Sequence, residues 1–319
     1  MTVHGFSAGS VLALAGTLTL DVALGEPPRR FHPVALFGTL VAVVARDWRH
    51  PRAVGVLVAV LFPAAFAAVA GLAVGLVGVV HAFGAVLGAA LVLFVTTSLR
   101  RLVVTGRRVA SLTVEDVDTA RTELRALAGR DAAALTPGQV RSATVESLAE
   151  NLADGLVAPL AGFVLAGTTV TLAGFGPVAA LAVGACGAAW MKGVNTLDSM
   201  LGYRDRPVGW ASARLDDAVM WLPARLSAGL LAAVAGDPGA LRSARRWLAP
   251  VPSPNAGWPM GTLAATLDVR LEKPDTYTLN PTASLPTPGD ASRAVRLVTA
   301  AGLLTYLVAA VAVGVVAWR

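Results

Sequence analysis

The feature that most constrains this chain is a series of long apolar runs without charged side chains. One extends from Ala53 to Val80 and another from Leu156 to Met191. A helix needs about 20 apolar residues to cross about 30 Å of hydrocarbon. The first run therefore suits one tilted span, and the second suits two short spans joined by a turn at Gly174–Pro177. Three further apolar runs are Ala82–Leu99, Leu297–Trp318 and Phe6–Gly25, the last interrupted only by Asp21. We expect an all-α polytopic integral membrane protein with about five to seven membrane helices and cytoplasmic helical segments.

Composition supports this class. Hydrophobic residues make up 55% of the chain and charged residues only 14%, whereas soluble proteins carry about 25% charged residues. The net charge of +6 comes almost wholly from arginine. Positive charge collects on the cytoplasmic side of membrane proteins, and no nucleic-acid-binding module is recognisable, so we expect no nucleic-acid partner. The single Cys186 excludes disulfides within the chain and cysteine-based metal sites.

The arginines also predict the topology. They cluster in the polar segments, whereas the short turns at 79–84 and 173–177 contain no lysine or arginine. The turns are therefore predicted to be external. We expect a single membrane-embedded domain, residues 1–319, in the inner or plasma membrane. Its cytoplasmic segments 26–52, 100–155 and 192–296 would form the active site.

Local signals predict several boundaries. The N-terminal run has no preceding basic residues and no clear cleavage site, so it is interpreted as a retained first span. Residues 34–45 are too short to cross the membrane and are expected to be interfacial or re-entrant.

The polar segments contain helix signals of their own. Thr113, Asp116 and Gly129 suggest a helix of about four turns. Thr136 and Gln139 form a capping box, with proline between them at the first helical position, that should start a helix running past Asp154. Residues 273–290 are interpreted as a loop, and a helix is expected from Met260.

The strongest chemical pattern is the acidic series Glu146, Glu150 and Asp154. Residues four apart share one face of an α-helix, where like charges repel, so a cation is expected. Oxygen ligands of this kind suit Mg²⁺, which uses few protein ligands together with substrate phosphates. The alternative is a solvated acidic face. The apolar span that follows favours a functional interpretation, because charges at a membrane boundary are costly.

Two further groups follow the apolar block. Asn195 and Asp198 lie one turn apart at a span end, with Lys192 just before them. They could equally be a polar helix end with a snorkelling lysine. Asp216 and Asp217, expected just before a helix, could bind a metal. Arg214 and Arg225 could bind phosphate bidentately, or these charges could form local ion pairs.

Two loops add candidates. Ser253 and Asn255 lie in a turn-rich segment that could present backbone N–H groups to an anion. Asp21 lies at a span end, and His32 could act as an acid, a base or an orienting donor, although a histidine at a turn is more often structural. Nucleotide P-loops, His-Glu-x-x-His zinc motifs and nucleophile elbows are missing from the sequence.

Five segments in this order resemble one family, the adenosylcobinamide-phosphate synthases of cobalamin biosynthesis. The matching stretches are DVALGEPPRRFHPV, ATVESLAENLADGLVAPL, KGVNTLDSMLGYR, ARLDDAVMWLPAR and SPNAGWP, within residues 21–259. Two departures are Glu26, where the family often has Asp, and Leu271–Pro274, where a glycine-rich turn is common. The second departure concerns only the 271–290 loop.

The resemblance implies an amide-forming ligase that joins adenosylcobyric acid to aminopropanol O-phosphate, or a related amino alcohol, using ATP and Mg²⁺. The product would be adenosylcobinamide phosphate. The expected partners are these substrates, the lipid bilayer, and a second copy or other pathway enzymes.

Residue roles follow as hypotheses. The metal ligands would be Glu146, Glu150, Asp154, Asp198 and Asp216. The catalytic set comprises Glu146, Glu150, Asp154, Asp198, Asp217 and His32, the last a candidate base. The groups expected to bind substrate or phosphate are Lys192, Asn195, Arg214, Arg225, Asn151, Ser253 and Asn255.

Two alternatives have the same membrane fold. A transporter is suggested by the apolar content and by Asp21, but such proteins place polar groups near the bilayer midplane. The runs 53–79 and 82–99 contain almost no ionisable residues, which argues against a transporter. A membrane-bound metal-dependent phosphohydrolase would share the carboxylates but would need a group that activates water.

Overall fold

The computed structural model describes residues 2–129, 132–203 and 206–316. It is 78% helical with almost no strands, which confirms the predicted all-α membrane class. Six helical stretches in the described residues are long and apolar enough to cross a membrane. A seventh is present if Pro207–Val219 and Trp221–Ala235 together count as one span. The six are Gly5–Leu24, Pro51–Val80, Ala82–Glu115, Pro137–Leu172, Pro177–Leu201 and Pro288–Val315.

The chain divides into two compact units. The first comprises Met1–Ser98, Ala158–Val219 and Thr305–Arg319, and the second comprises Leu99–Val157 and Met220–Leu304. The polar segments predicted to build the active site are thus shared between the units. Their common cytoplasmic side, and the single domain they were expected to form, stay predictions. Trp318 and Arg319 lie outside the described residues.

The first unit is built around one long helix. Its elements are α1 (Thr2–Leu24), α2 (Pro33–Ala42), α3 (Pro51–Val80), α4 (Ala82–Thr96), α8 (Ala158–Leu172), α9 (Pro177–Leu201), α10 (Trp210–Val219) and the end of α14 (Pro288–Val316). Helix α9 packs against α3 and α8 most extensively, and also against α1, α2, α4 and α10. It is therefore the centre of this unit.

Glycines allow α8 and α9 to approach closely. A Cβ atom added at Gly162 would lie 2.6 Å from the carbonyl oxygen of Gly187, and a Cβ added at Gly187 would collide with the carbonyl oxygen of Gly162. Between membrane helices, association depends on van der Waals packing rather than on the hydrophobic effect, and small residues maximise it. The pair therefore sets the separation of the two helices.

The two predicted hairpins are confirmed, with one change of boundary. His81 separates α3 from α4, and its Nδ1 accepts a hydrogen bond from the N–H of Phe83 at 3.2 Å. Gly174, at φ +87°, lies in the turn between α8 and α9. The second span of this hairpin was expected to end at Met191, but α9 continues to Leu201. The polar residues of this extension are compatible with a helix because Thr196 and Ser199 donate hydroxyl hydrogen bonds of 2.8 Å to carbonyls four residues earlier.

The second unit opens with two helices that differ from the prediction. Helix α5 (Leu99–Glu115) contains Thr113, and α6 (Val117–Leu124) begins after Asp116 and lasts about two turns. The predicted helix from Thr113 to Gly129 is therefore wrong in its bounds. Asp116 is the cap, because its Oδ1 accepts hydrogen bonds of 3.1 Å from the N–H groups of residues 118 and 119. Hydrogen bonds from the Thr119 hydroxyl and backbone lower the pKa of Asp116.

The capping box is confirmed. Helix α7 (Pro137–Leu152) begins where the Gln139 N–H donates to the Thr136 hydroxyl at 3.3 Å, and the Thr136 N–H donates to the Gln139 side chain at 2.9 Å. A π-helical turn, Ala153–Val157, follows and leads into α8. The helix therefore runs past Asp154 as predicted, but the turn that contains Asp154 is π-helical rather than α-helical.

The rest of the second unit corrects two expectations. Its elements are α11 (Trp221–Ala235), α12 (Gly239–Arg245), α13 (Gly257–Leu267), strands β1 (Leu271–Lys273) and β2 (Tyr277–Leu279), and the start of α14. The predicted 273–290 loop instead begins within a two-stranded antiparallel hairpin. Helix α13 starts three residues before Met260. One correction falls in the first unit, where Asp216 and Asp217 lie inside α10 rather than before a helix.

Cysteine labelling tests the predicted topology within the first unit. In a Cys186→Ala background, Phe175→Cys and Arg49→Cys each place one thiol at an exposed position. We expect a membrane-impermeant maleimide to label position 175 in intact cells and position 49 only after permeabilisation, because arginine-rich segments stay in the cytoplasm. Labelling of both positions from the same side would contradict the topology.

Candidate functional site

Glu146 lies in a buried polar network rather than on an open acidic face. Its side chain has 0% exposure. One oxygen accepts a 2.9 Å hydrogen bond from the Ser142 hydroxyl, and the other accepts a 2.7 Å hydrogen bond from the Tyr277 hydroxyl. Buried carboxylates are tolerated when donors satisfy them. The geometry therefore gives Glu146 a structural function in joining α7 to strand β2.

The same network fixes strand β1. The Glu272 N–H donates to the Ser142 hydroxyl at 2.8 Å, and the Gln139 amide donates to the Glu272 carboxylate at 3.0 Å. The Arg270 guanidinium lies 3.1 Å from the other Glu272 oxygen. Hydrogen bonds from both strands therefore attach the hairpin to the first turns of α7.

Glu150 and Asp154 differ from Glu146 in being only half-buried. Glu150 lies one turn beyond Glu146 on α7, so the predicted α-helical face holds between these two residues. Asp154 lies in the π turn, where each turn contains more than the usual 3.6 residues, so the simple four-residue spacing no longer applies. Single π turns occur frequently at functional sites.

Asn151 is used to support a neighbouring segment. Its side-chain amide donates a 2.9 Å hydrogen bond to the Ser147 carbonyl and a 3.4 Å hydrogen bond to the Leu127 carbonyl. This contact ties the segment that follows α6 to α7. The substrate-binding role predicted for Asn151 stays a prediction beside this observed one.

Arg225 is held between two tryptophans. Its guanidinium lies 4.9 Å from the ring centre of Trp221 and 5.3 Å from that of Trp258. It donates hydrogen bonds to the Asn255 side-chain oxygen and, at 3.3 Å, to the Pro254 carbonyl. The sequence prediction that Arg225 and Asn255 belong to one site is consistent with this contact, which joins α11 to the turn before α13.

Ser253 closes that turn. Its hydroxyl oxygen accepts hydrogen bonds of 3.2 Å and 3.3 Å from the backbone N–H groups of Asn255 and Ala256. Sequence reasoning expected this loop to offer backbone N–H groups to an anion. These two are directed at Ser253 instead, so phosphate recognition here would depend on side chains.

The candidate residues of the second unit lie on helices that pack together. Helix α7 contacts α13, the π turn contacts α11, and α11 contacts α13. Glu150 and Asp154 therefore share a helical cluster with Arg225 and Asn255. A set of carboxylates, an arginine and amides on adjoining helices can bind a phosphate together with its cation.

In the first unit, Asp198 and Asp217 form an acidic pair. The charge of Asp217 acts unfavourably on Asp198, and the Arg214 guanidinium lies 3.5 Å from Asp217. One Asp198 oxygen is buried without a hydrogen bond to any described residue. The turn after α9 lies against this carboxylate, because a Cβ at Gly202 would collide with Asp198. Lys192, Asn195 and Asp216 are buried or half-buried on the same two helices.

The predicted site residues thus fall into two sets. The second unit contains Glu146, Glu150, Asn151, Asp154, Arg225, Ser253 and Asn255, and the first contains His32, Lys192, Asn195, Asp198, Arg214, Asp216 and Asp217. Within residues 2–129, 132–203 and 206–316, no group of three or more His, Cys, Asp or Glu side chains is arranged to hold a metal ion. The prediction that one active site unites both sets stays a prediction.

Sequence reasoning missed the partners of Glu146. Ser142 precedes it by one helical turn, which is a local signal, although a weak one. Tyr277 follows 131 residues later, in a segment interpreted as loop, so no local pattern could have found it. Trp221 and Trp258 flank predicted residues, and aromatic rings beside an arginine are a recognisable sign of cation–π contact.

The fold defines a polytopic α-helical membrane protein that carries carboxylate, arginine and amide side chains at helix ends. The family model for the CobD/Cbib protein matches residues 14–314. The chain therefore belongs to the CobD/Cbib family, a family of cobalamin biosynthesis enzymes, which confirms the resemblance noted in the sequence.

Curated relatives agree with this assignment. The chain is 37% identical to the probable cobalamin biosynthesis protein CobD of Methanothrix thermoacetophila, over 94% of this chain and 95% of the relative. It is 40% identical to the cobalamin biosynthesis protein CobD of Mycobacterium tuberculosis, over 84% and 82%, and 34% identical to that of Klebsiella pneumoniae, over 84% of each. No solved structure matches the chain.

The Glu146 network makes a stability prediction. Tyr277→Phe removes one hydrogen bond to a buried carboxylate without changing the ring, and the loss of a buried hydrogen bond of this kind costs about 1–3 kcal/mol. We expect the thermal midpoint of the protein in detergent to fall by several degrees. Tyr203→Phe, at an exposed tyrosine, is the matched control and should leave the midpoint unchanged. Equal midpoints for the two variants would refute the structural role of Glu146.

Proposed function

We propose that this chain is an adenosylcobinamide-phosphate synthase, which joins adenosylcobyric acid to aminopropanol O-phosphate or a related amino alcohol. The observation that carries the proposal is the family match over residues 14–314, which includes all five motifs that resemble this family. The motif side chains on α7, α11 and the turn before α13 have the chemistry that a phosphate-bearing amine and a nucleotide require.

The reaction is an ATP-dependent amide formation. A free carboxylate is a poor acyl donor, so it must be activated, for which an acyl phosphate is the simplest route. The amine nitrogen then attacks the acyl carbon, phosphate leaves, and a base takes the proton from nitrogen. The balanced outcome is one amide, one ADP and one phosphate. Transfer of the phosphoryl group depends mainly on positioning and charge neutralisation.

The side chains fit a magnesium ion in part. Mg²⁺ is commonly held by one or two carboxylates together with water and substrate phosphates, and the half-buried Glu150 and Asp154 offer this number. Glu146 fits less well, since both of its oxygens already accept protein hydrogen bonds. In the first unit, Asp198 has one buried oxygen without a hydrogen bond to any described residue and is a separate ligand candidate. A bound Mg²⁺ would neutralise phosphate charge during transfer.

The remaining side chains would bind and orient the substrates. Arg214 and Lys192 are the proposed phosphate ligands, and the Arg214 side chain is exposed beside Asp217. Arg225 would act mainly by holding Asn255 in place, because it already donates to that side chain. Asn195 and Asn255 would orient substrate, and His32 or a carboxylate would accept the amine proton. We place this chemistry on the cytoplasmic face of the inner or plasma membrane.

Reconstitution tests the proposal directly. Purified protein in detergent, given adenosylcobyric acid, aminopropanol phosphate and Mg·ATP, should form adenosylcobinamide phosphate and one ADP per amide. Omission of any one substrate should abolish ADP release. Release of phosphate from ATP without adenosylcobyric acid would favour a phosphohydrolase. Absence of product from folded protein would leave the ligase proposal without support.

Glu150→Gln tests the carboxylates. The change keeps the size of the side chain and removes its charge, and loss of one charge-stabilising group commonly lowers kcat by about 100-fold or more. We expect a loss of at least this size, with normal membrane insertion and an unchanged thermal midpoint. Glu115→Gln, at an exposed acid in the same unit, is the control and should retain full activity. Near wild-type activity of Glu150→Gln would remove this residue from the site.

A further inference from the structure

Helix α5 has two faces of opposite character. One face is buried within the second unit and packs against α7, where Gly106 lies against Leu148. The other face is exposed along the whole helix. The exposed residues are Arg100, Arg101, Val104, Arg107, Arg108, Ser111, Val114 and Glu115. Their spacing of three and four residues forms one continuous stripe.

This stripe is strongly basic. Four of its eight residues are arginines, which we call the arginine face, and Glu115 at the end of the helix is the only acid among them. Arg108 also pairs with Glu123 at 3.1 Å, but its side chain remains 59% exposed. An exposed ion pair of this kind is weak and screened by salt. The face therefore carries an excess of positive charge on the exposed side of α5.

The position of α5 in the chain places this charge near a bilayer surface. The helix starts three residues after the end of the apolar helix α4. The stretch Ala82–Glu115 comprises 34 residues, whereas about 20 suffice to cross the hydrocarbon. Residues 82–98, which precede α5, are uncharged and match the shortest length that crosses a bilayer, about 17 residues, so the basic residues begin near the level of the lipid headgroups.

We propose that the arginine face of α5 binds the phosphate headgroups of anionic phospholipids. Guanidinium groups recognise phosphate through paired hydrogen bonds, and basic clusters directly beyond a membrane helix attract anionic lipids. The exposed Val104 and Val114 add small apolar contacts at the same surface, as in helices that lie in the interface. The proposal depends on the chain spanning a membrane and not on its enzymatic activity.

Lipid retention on the purified full-length protein tests this proposal. The protein is incubated in neutral detergent with phosphatidylglycerol or with phosphatidylcholine, and bound lipid is counted by native mass spectrometry. The test variant is R100Q/R101Q/R107Q/R108Q. The matched control is R242Q/R245Q/R246Q, which removes exposed arginines at and just after α12 in the same unit.

We expect wild type and control to retain at least ~10-fold more phosphatidylglycerol than phosphatidylcholine, and the difference to shrink with salt as screening predicts. The α5 variant should retain both lipids equally. If the variant with four substitutions is unstable, R107Q/R108Q alone should lower the preference for phosphatidylglycerol several-fold, since each arginine near the surface adds to the attraction.

Three results would overturn the proposal. They are equal binding of the two lipids by wild type, undiminished phosphatidylglycerol binding by the α5 variants, and an equal loss in the α12 control. Loss of a co-purifying acidic protein from the α5 variant, without any change in lipid binding, would assign the face to a protein partner instead.

Discussion

The close approach of α8 and α9 is the contact on which the first unit depends. Lipid tails are as apolar as leucine, so helices in a bilayer gain little from burying leucine and much from packing backbones closely. Gly162 and Gly187 lie opposite each other, and neither could carry a Cβ without a collision. Because α9 also contacts α1, α2, α3, α4 and α10, an altered separation here would be transmitted to its polar end. Asn195 and Asp198 lie at that end, so the packing of small residues deep in the helix pair positions candidate chemistry several turns away.

The second unit is organised by a polar contact instead. Glu146 is fully buried, and its two oxygens are shared between a hydroxyl on its own helix and the Tyr277 hydroxyl on strand β2. Such a carboxylate stabilises a structure only while its donors remain, because losing one leaves a buried acceptor unsatisfied. The network therefore holds the hairpin and α7 in a single arrangement. This arrangement also fixes the position of Glu150, which lies one turn further along α7. The Glu150 side chain remains exposed enough to contact a ligand.

Much of this architecture could be predicted from the sequence because its signals are local. Apolar run length located the spans, the Gly174 turn separated α8 from α9, and Thr136 with Gln139 marked the start of α7. The features that were missed depend on contacts between residues far apart in sequence, or on small free-energy differences between continuing a helix and ending it. The end of α9 was placed ten residues too early because polar residues suggested a boundary, although threonine and serine hydroxyls can bond back to the helix. The β-hairpin lies in a stretch rich in proline and threonine, and its pairing with α7 depends on Ser142, more than 120 residues away.

The candidate site shows that a sequence motif identifies functional residues more reliably than it identifies what each residue does. Glu146 and Glu150 belong to one matching stretch and carry the same functional group, yet the first satisfies both oxygens within the protein and the second is half-exposed. Arg214 and Arg225 differ in a similar way. Arg225 lies between two tryptophans and donates to Asn255, whereas Arg214 is exposed beside Asp217. Removing a group that holds its neighbours should affect folding and catalysis together, and removing one that meets the ligand should affect catalysis alone. Environment therefore separates supporting from reacting side chains within the motifs that contain Glu146 and Arg225.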